Sequence, residues 1–418
     1  MRDDHSTGIH PAPFPAHDLT SASAGIHDDR PNPSQESSHT TAGPRLAPTR
    51  ASTLRWQLAP GVSLIAFPGR EALFCEAAQE LYAIDPLGAL IAHGLAAQAT
   101  AVDGLVQHCV DHGVDAGAAP DAVAALMRLW SDAGLLAAIP EANGETARRL
   151  RFRLADQSID VTIDAPCPPI VLPVPAVEKA APSSVPCWHL LSETSGSDII
   201  LARAGRPARI VTPEQAVPTL KARLVEDALA ASGRIALHAA SLVRQGRALL
   251  LCGDPGAGKS TLCVALTGAG YGYAADDVTL IDADGAAQGL CFFPTLKAGS
   301  WNLVPHCCTA LERAPVHRRL DGALLRYVPM PEPQTGRYPV GWIVLLDRRD
   351  DVPAKLDPVD PVTALQTLFR GAYSSKGRSS AADVRMMGEL VAGAQCLRLT
   401  YSSLPEAVDL LDRAGQAG

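Results

Sequence analysis

Along residues 1–52, apolar side chains recur at no fixed period, and His, Pro, Ser, Thr and Asp dominate. Such a stretch has little surface to bury against the entropy of ordering, so it is expected to be a disordered tail. Order is expected from residue 53. WQLAPGVSLIAFPG (56–69) and EALFCEAAQELYAID (71–85) alternate apolar with polar positions around a Pro-Gly turn and read as strands. Asp85-Pro86 offers an N-cap followed by a first-turn proline, after which Leu87, Leu90, Ile91 and Leu95 recur at helical spacing. A second helix is expected over 102–112. A third starts at Asp121, gathers Val123, Leu126, Met127 and Trp130 on one face and stops at Gly134. Residues 53–141 therefore read as a small winged-helix-like α+β domain.

The remainder, 142–418, changes character. RFRLADQSIDVTIDA (151–165) alternates like a strand pair, and the proline-rich stretch from Pro166 to Pro186 reads as an extended loop or sheet edge. From Pro213 to Ala231 the spacing is helical. The apolar runs ALLLC, VTLID, LCFF and VGWIVLL then read as strands. ADVRMMGELVAG reads as a helix, CLRLTY as a strand and LPEAVDLLDRAG as a closing helix. This alternation predicts an α/β domain with a mixed sheet.

Composition narrows the function. A net charge of −8 over 418 residues disfavours broad binding to nucleic acid or to an anionic membrane, both of which need a basic face. The ten cysteines include no Cys-x-x-Cys pair, and the adjacent Cys307-Cys308 has no His/Cys companions at metal-ligand spacing. They read as reduced, buried thiols. MRDDHSTGIH lacks the basic then apolar order of a signal peptide, and no apolar run is long enough to span a bilayer. A cytoplasmic location is expected.

The chemistry centres on Gly253, Asp254, Pro255, Gly256, Ala257, Gly258, Lys259, Ser260 and Thr261, which satisfy G-x-x-x-x-G-K-[ST] between an apolar strand and a helical run. Backbone N–H groups of such a loop wrap phosphate oxygens, and the helix N-terminus adds partial positive charge. ATP and Mg²⁺ are the expected cofactors, with Lys259 on the outer phosphates and Ser260 on the metal. Asp276-Asp277 follow at short range. Adjacent acids facing a γ-phosphate can divide labour, one ligating Mg²⁺ and the other accepting a proton from an attacking hydroxyl. His238 in RIALHAASLV reads as a strand residue just before the loop's own strand.

The order L-H-A-A-S, G-D-P-G-A-G-K-S-T, A-D-D-V resembles the catalytic domain of HPr kinase/phosphorylase, strongly over 230–283 and in architecture over 150–418. The resemblance implies that His238 supports the site, Lys259 and Ser260 hold ATP·Mg²⁺, Asp276 is the base and Asp277 the metal-side partner. PTLKAGSW (294–301) stands where bifunctional members carry a glycine-rich signature. With RYVP (326–329) it looks like the HPr-kinase-related subgroup found with peptide-modifying systems, so phosphorolysis and HPr itself are not expected. Lys297 and Arg326 are then candidates to neutralise transition-state charge. Residues 53–141, in ELYAIDPLGALIAHGL and LMRLWSDAGLL, resemble the PqqD-like peptide-binding domains. Members of that family add a leader peptide as an extra strand. Together the resemblances imply a kinase for a Ser/Thr hydroxyl of a ribosomally made precursor peptide. A nucleotide-binding regulatory module and a small-molecule kinase stand as alternatives, and homo-oligomerisation is left open.

Overall fold

The computed structural model describes residues 54–140, 147–164, 167–181, 185–192, 197–304, 310–330, 332–374 and 378–416. The expected tail and the Cys307-Cys308 pair lie outside them. The described residues form a mixed α/β structure of several sheets in two compact units. One comprises the described residues up to 145 together with Ala202–Ile210; the other holds the rest.

In the first unit, β1 (Leu54–Leu58) pairs antiparallel with β5 (Leu136–Pro140). β2 (Val62–Phe67), β3 (Arg70–Cys75) and β4 (Glu80–Ile84) form a separate antiparallel meander in that order. Three helices follow, α1 (Pro86–Ala97), α2 (Val102–Asp111) and α3 (Ala119–Asp132). The Asp85 carboxylate accepts from Gly88 N–H at 2.7 Å, the N-cap that the Asp-Pro pair signals. α3 begins two residues before the expected Asp121, because Asp115 accepts from the Gly117 and Ala118 N–H groups and starts the turn earlier. Trp56, Leu73, Ile91, Leu105, Val123 and Trp130 are all buried. Residues 202–210 belong here through named bonds: Ala208 N–H donates to Leu136 O at 2.8 Å, and Ile210 N–H to Ser131 Oγ at 2.8 Å.

The second unit opens with the hairpin β6 (Arg148–Leu154) and β7 (Gln157–Ile163). β8 (Glu178–Lys179) pairs with β6, and β9 (Cys187–Ser192) runs parallel to β7. β10 (Ile199–Ala202), β11 (Arg209–Val211) and α4 (Pro213–Ser232) follow. α4 is opened by a Thr212/Gln215 capping box and closed at Gly233.

A ten-stranded mixed sheet forms the body of this unit. Its elements in chain order are β12 (Ile235–Leu237), β13 (Ala240–Arg244), β14 (Arg247–Cys252), α5 (Lys259–Gly268), β15 (Gly272–Ala275), β16 (Thr279–Ile281) and β17 (Ala286–Gly289). The small strands β18 (Thr295–Lys297), β19 (His317–Arg318) and β20 (Leu324–Tyr327) form their own sheet, with α6 (Ala310–Arg313) between β18 and β19 in sequence. The main sheet resumes with β21 (Tyr338–Arg348) and β22 (Lys355–Pro358). α7 (Pro361–Arg370), β23 (Ala372–Ser374), α8 (Ala381–Gly393), β24 (Gln395–Tyr401) and α9 (Leu404–Gln416) complete the chain. The central β21 is parallel to β14 on one side and β24 on the other. Leu249 and Leu251 pack with Leu262 and Leu411 on one face, while Leu250 and Cys252 pack with Leu368, Met387 and Leu390 on the other. Burial on both faces is why ALLLC shows no alternation.

Two expectations need correction. LCFF (290–293) is not a strand, which lies instead at β17. Its backbone bonds leave the ladder, since Phe292 N–H goes to Leu290 O and Phe293 N–H to Pro173 O, while Leu290 and Phe292 fill the core beneath β6, β7 and β9. His238 is likewise off the strand, at the break between β12 and β13, where its N–H donates to Gly371 O at 2.7 Å. Among the described residues, no helix is long and apolar enough to cross a membrane.

Candidate phosphate-binding site

Three parallel strands, β14, β21 and β24, end on one edge of the sheet, and residues 253–258 carry the chain from β14 into α5 at that edge. Open parallel sheets bind ligands outside the carboxyl ends of their strands. Gly258 caps α5 with φ +93°, and a Cβ there would lie 2.5 Å from Tyr401 Oη, so both conformation and space demand glycine. Tyr401 donates to Ala257 O at 3.1 Å, tying the loop to β24 from below.

Lys259 is 7% exposed, and its ammonium bridges its own loop, donating to Gly253 O at 2.7 Å and Asp254 O at 3.3 Å. Burial lowers its pKa, an effect that Asp277 and Asp254 oppose. Ser260 follows in the first turn of α5 and donates through Oγ to Asp276 Oδ2 at 3.2 Å. The glycine loop and the acid pair, separate in sequence, therefore meet.

Asp276 and Asp277 occupy the turn between β15 and β16, but in different surroundings. Asp276 is 3% exposed; its Oδ2 accepts from Thr295 N–H at 2.7 Å as well as from Ser260, and its Oδ1 lies 3.8 Å from Lys221 Nζ. Burial pushes its pKa up, Lys221 pulls it down, and the Asp277 charge raises it again, for a net rise. Asp277 has a half-exposed side chain and pairs with His238 Nδ1 at 3.0 Å. Burial acts to raise its pKa, but the His238 bond and the Lys221 charge outweigh burial and hold the carboxyl at about 2.

Lys221 is a site residue that sequence reading missed. It sits on α4, 7% exposed, donates to Thr295 Oγ1 at 2.8 Å, and places its ammonium 5.5 Å from the ring centroids of both Phe292 and Tyr327. The available signal was a rare lysine within the buried stripe of Val217, Leu220 and Leu224.

The two other proposed cations are not gathered here by any bond. Lys297 is exposed at the end of β18. Arg326 stacks on Trp301 at 4.4 Å and donates to Leu311 O at 2.9 Å. Their strands pair such that Arg326 opposes Leu296, whereas Tyr327 opposes Thr295, so Arg326 takes the face opposite to the Lys221–Thr295 contact.

The donor set suits a magnesium nucleotide. A serine hydroxyl and one buried carboxylate offer the hard oxygens that Mg²⁺ takes in partnership with substrate phosphates. Among the described residues, no group of three or more His, Cys, Asp or Glu side chains forms a protein-only metal cage. The neighbouring thiols Cys252 and Cys291 are pushed up to about 12 by burial, which leaves them protonated and inert. No protein-family model matches the chain, and a search of curated proteins found no match.

Proposed function

We propose that the second unit is an ATP-dependent kinase of the HPr-kinase type, and that it transfers the γ-phosphoryl group to a Ser or Thr hydroxyl of a peptide held by the first unit. The observation that carries this reading is the 3.2 Å bond between Ser260 Oγ and Asp276, which joins the glycine loop to the acid pair. A loop that merely held a magnesium nucleotide would use the carboxylate beside Ser260 but would need no second one, Asp277, backed by His238.

The burial and bonding of the two acids favour a division of labour opposite to the one expected from sequence. Asp276 lies against Ser260 and serves the metal side, while Asp277, half-exposed and backed by His238, faces the incoming alcohol. Mg²⁺, when bound, neutralises charge on the transferring phosphoryl group. Lys259 exchanges its bonds to Gly253 O and Asp254 O for phosphate oxygens. The acceptor oxygen forms the new P–O bond in line with the breaking bond to ADP, and its proton passes to the Asp277–His238 pair.

A peptide acceptor is favoured over a small polar one by Tyr327. Besides facing Lys221, it lines a mostly apolar cavity of about 340 Å³ with Leu172, Phe293, His317 and Pro329, which accepts a side chain more readily than a sugar. In the first unit, among the described residues, β2 and β4 are the unpaired edges of a three-stranded sheet that exposes Ile65, Phe67 and Leu81, the kind of surface that strand addition uses. This arrangement supports the PqqD-like, winged-helix reading of residues 53–141 as a leader clamp.

The test is mass spectrometry of short peptides bearing a terminal-region serine, incubated with the full chain and ATP·Mg²⁺. A gain of one phosphoryl group that disappears in Asp277→Asn is expected. Binding of ATP without transfer to any hydroxyl would leave only a nucleotide-holding module.

A further inference from the structure

The loop's surroundings contain a third cation that the sequence did not reveal. Arg348 is the last residue of β21 and sits opposite Tyr401 in the parallel ladder with β24. Paired positions share a face of the sheet. Tyr401 uses that face to reach Ala257 O, so Arg348 points to the loop as well. The same virtual Cβ on Gly258 that meets Tyr401 Oη lies 4.0 Å from Arg348 Cδ. The aliphatic stem thus runs along the N-cap of α5 and leaves an exposed guanidinium beside it.

The electrostatics of that placement are unfavourable without a ligand. A helix N-terminus carries partial positive charge, and cations placed there are repelled. Lys259 already occupies this turn. The neighbouring Asp347 does not compensate, because its carboxylate is taken by Arg349 at 2.7 Å and by Thr400. Among the described residues, the Arg348 guanidinium has no hydrogen-bond or ion-pair partner, and its charge opposes the burial that raises the Tyr401 hydroxyl's pKa. Two cations and a helix N-terminus flank the loop; Asp254, Asp276 and Asp277 act on Lys259, but among the described residues no carboxylate pairs with Arg348, so the β21 side lacks an anion. The chemistry that completes it is a chain of phosphates.

We propose that Arg348 is a binding residue for the phosphate chain of the nucleotide, acting from the β21 side of the loop while Lys259 acts from within it. The inference rests on the phosphate-loop reading above. Arginine suits the position because its planar fork engages two phosphate oxygens at once.

Calorimetric titration of the full chain with ATP·Mg²⁺ and, separately, with inorganic tripolyphosphate tests both levels. Arg348→Ala is expected to weaken both ligands about tenfold, the loss typical of one charge-assisted contact, with a ligand-free melting temperature no lower than the wild type's. Arg348→Lys should recover part of the loss. Arg349→Ala, whose guanidinium is already occupied, should bind as the wild type does. Unchanged affinity in Arg348→Ala overturns the proposal, as does a loss confined to ATP, which would indicate the base, or an equal loss in Arg349→Ala, which would indicate only the general field. If the wild type binds ATP no better than Lys259→Ala, the phosphate-loop reading fails and the role of Arg348 with it.

Discussion

Asp160 and Asp276 are both buried in the second unit, at 0% and 3% exposure, yet their charges are treated in opposite ways. On β7, Asp160 takes bonds from Arg149 Nε at 2.8 Å and from Arg151 at 2.7 and 2.9 Å, so two guanidinium groups satisfy both oxygens. Burial alone would raise its pKa; the arginine bonds outweigh that and hold it below the usual carboxylate range. Asp276 has one ammonium at 3.8 Å, beyond hydrogen-bond reach, and an adjacent carboxylate that adds to its burden. A carboxylate needed only for structure is completed by the fold itself. One left short of positive charge waits for a cation from elsewhere, here the magnesium of the proposed nucleotide complex.

Replacing each aspartate separates the two roles. Asp276→Asn should lower the rate of peptide phosphorylation by about three orders of magnitude, because it removes a preorganised charge, and a fixed-time phosphopeptide assay reads this directly. Asp160→Asn should leave that rate near wild type while costing about 3 kcal/mol in urea unfolding, since it strips a buried double ion pair. If the two variants behave alike, the contrast is broken.

Lys221→Met should cost about 2 kcal/mol, less than the loss at Asp160, because Asp276 can take up a proton in place of its lost partner. Adding Asp276→Asn to Lys221→Met should recover most of that stability without restoring activity, which urea unfolding of the double variant checks.

Acid titration of stability sharpens the contrast through its sign. The lowered pKa of Asp160 means its contribution is complete above about pH 4 and is lost as pH falls through the folded-state value. The raised pKa of Asp276 acts the other way, so the folded state is penalised at neutral pH. Asp276→Asn should therefore be more stable than wild type at pH 7, and that gain should vanish below about pH 4. The smallest effect belongs to Tyr401→Phe. It removes the bond to Ala257 O and should cost about 1 kcal/mol by thermal melting.

The loop was legible because it depends on a local string: glycines for positive φ, an apolar strand before, a helix after. The acid pair was legible as adjacent carboxylates at short range, whereas His238 gained a role only through the resemblance. Most helices and strands were equally legible, from the Asp85-Pro86 cap to the buried run before Gly253. Lys221, Thr295, Tyr401 and Arg348 were not, since each reaches the site from a strand or helix whose position is set by sheet order rather than by neighbours in the chain. LCFF misled for a related reason: four apolar residues read as a strand by hydropathy, but Phe292 N–H turns back to Leu290 O and Phe293 N–H goes to the distant Pro173 O, so neither joins a ladder. Arg326 and Lys297 were chosen as the cations of RYVP and PTLKAGSW, the stretches that carry the subgroup resemblance, and the strand pairing that turns Arg326 toward Trp301 has no signature in composition.

The return of Ala202–Ile210 to the first unit bears on how the chain is made. A ribosome that has just released β5 has not finished that unit: Leu136 O and Ser131 Oγ wait for Ala208 and Ile210, and strands of the second unit are synthesised in the interval. The two units thus mature in overlapping order, and a nascent chain halted before residue 210 leaves the first with acceptors still open to water.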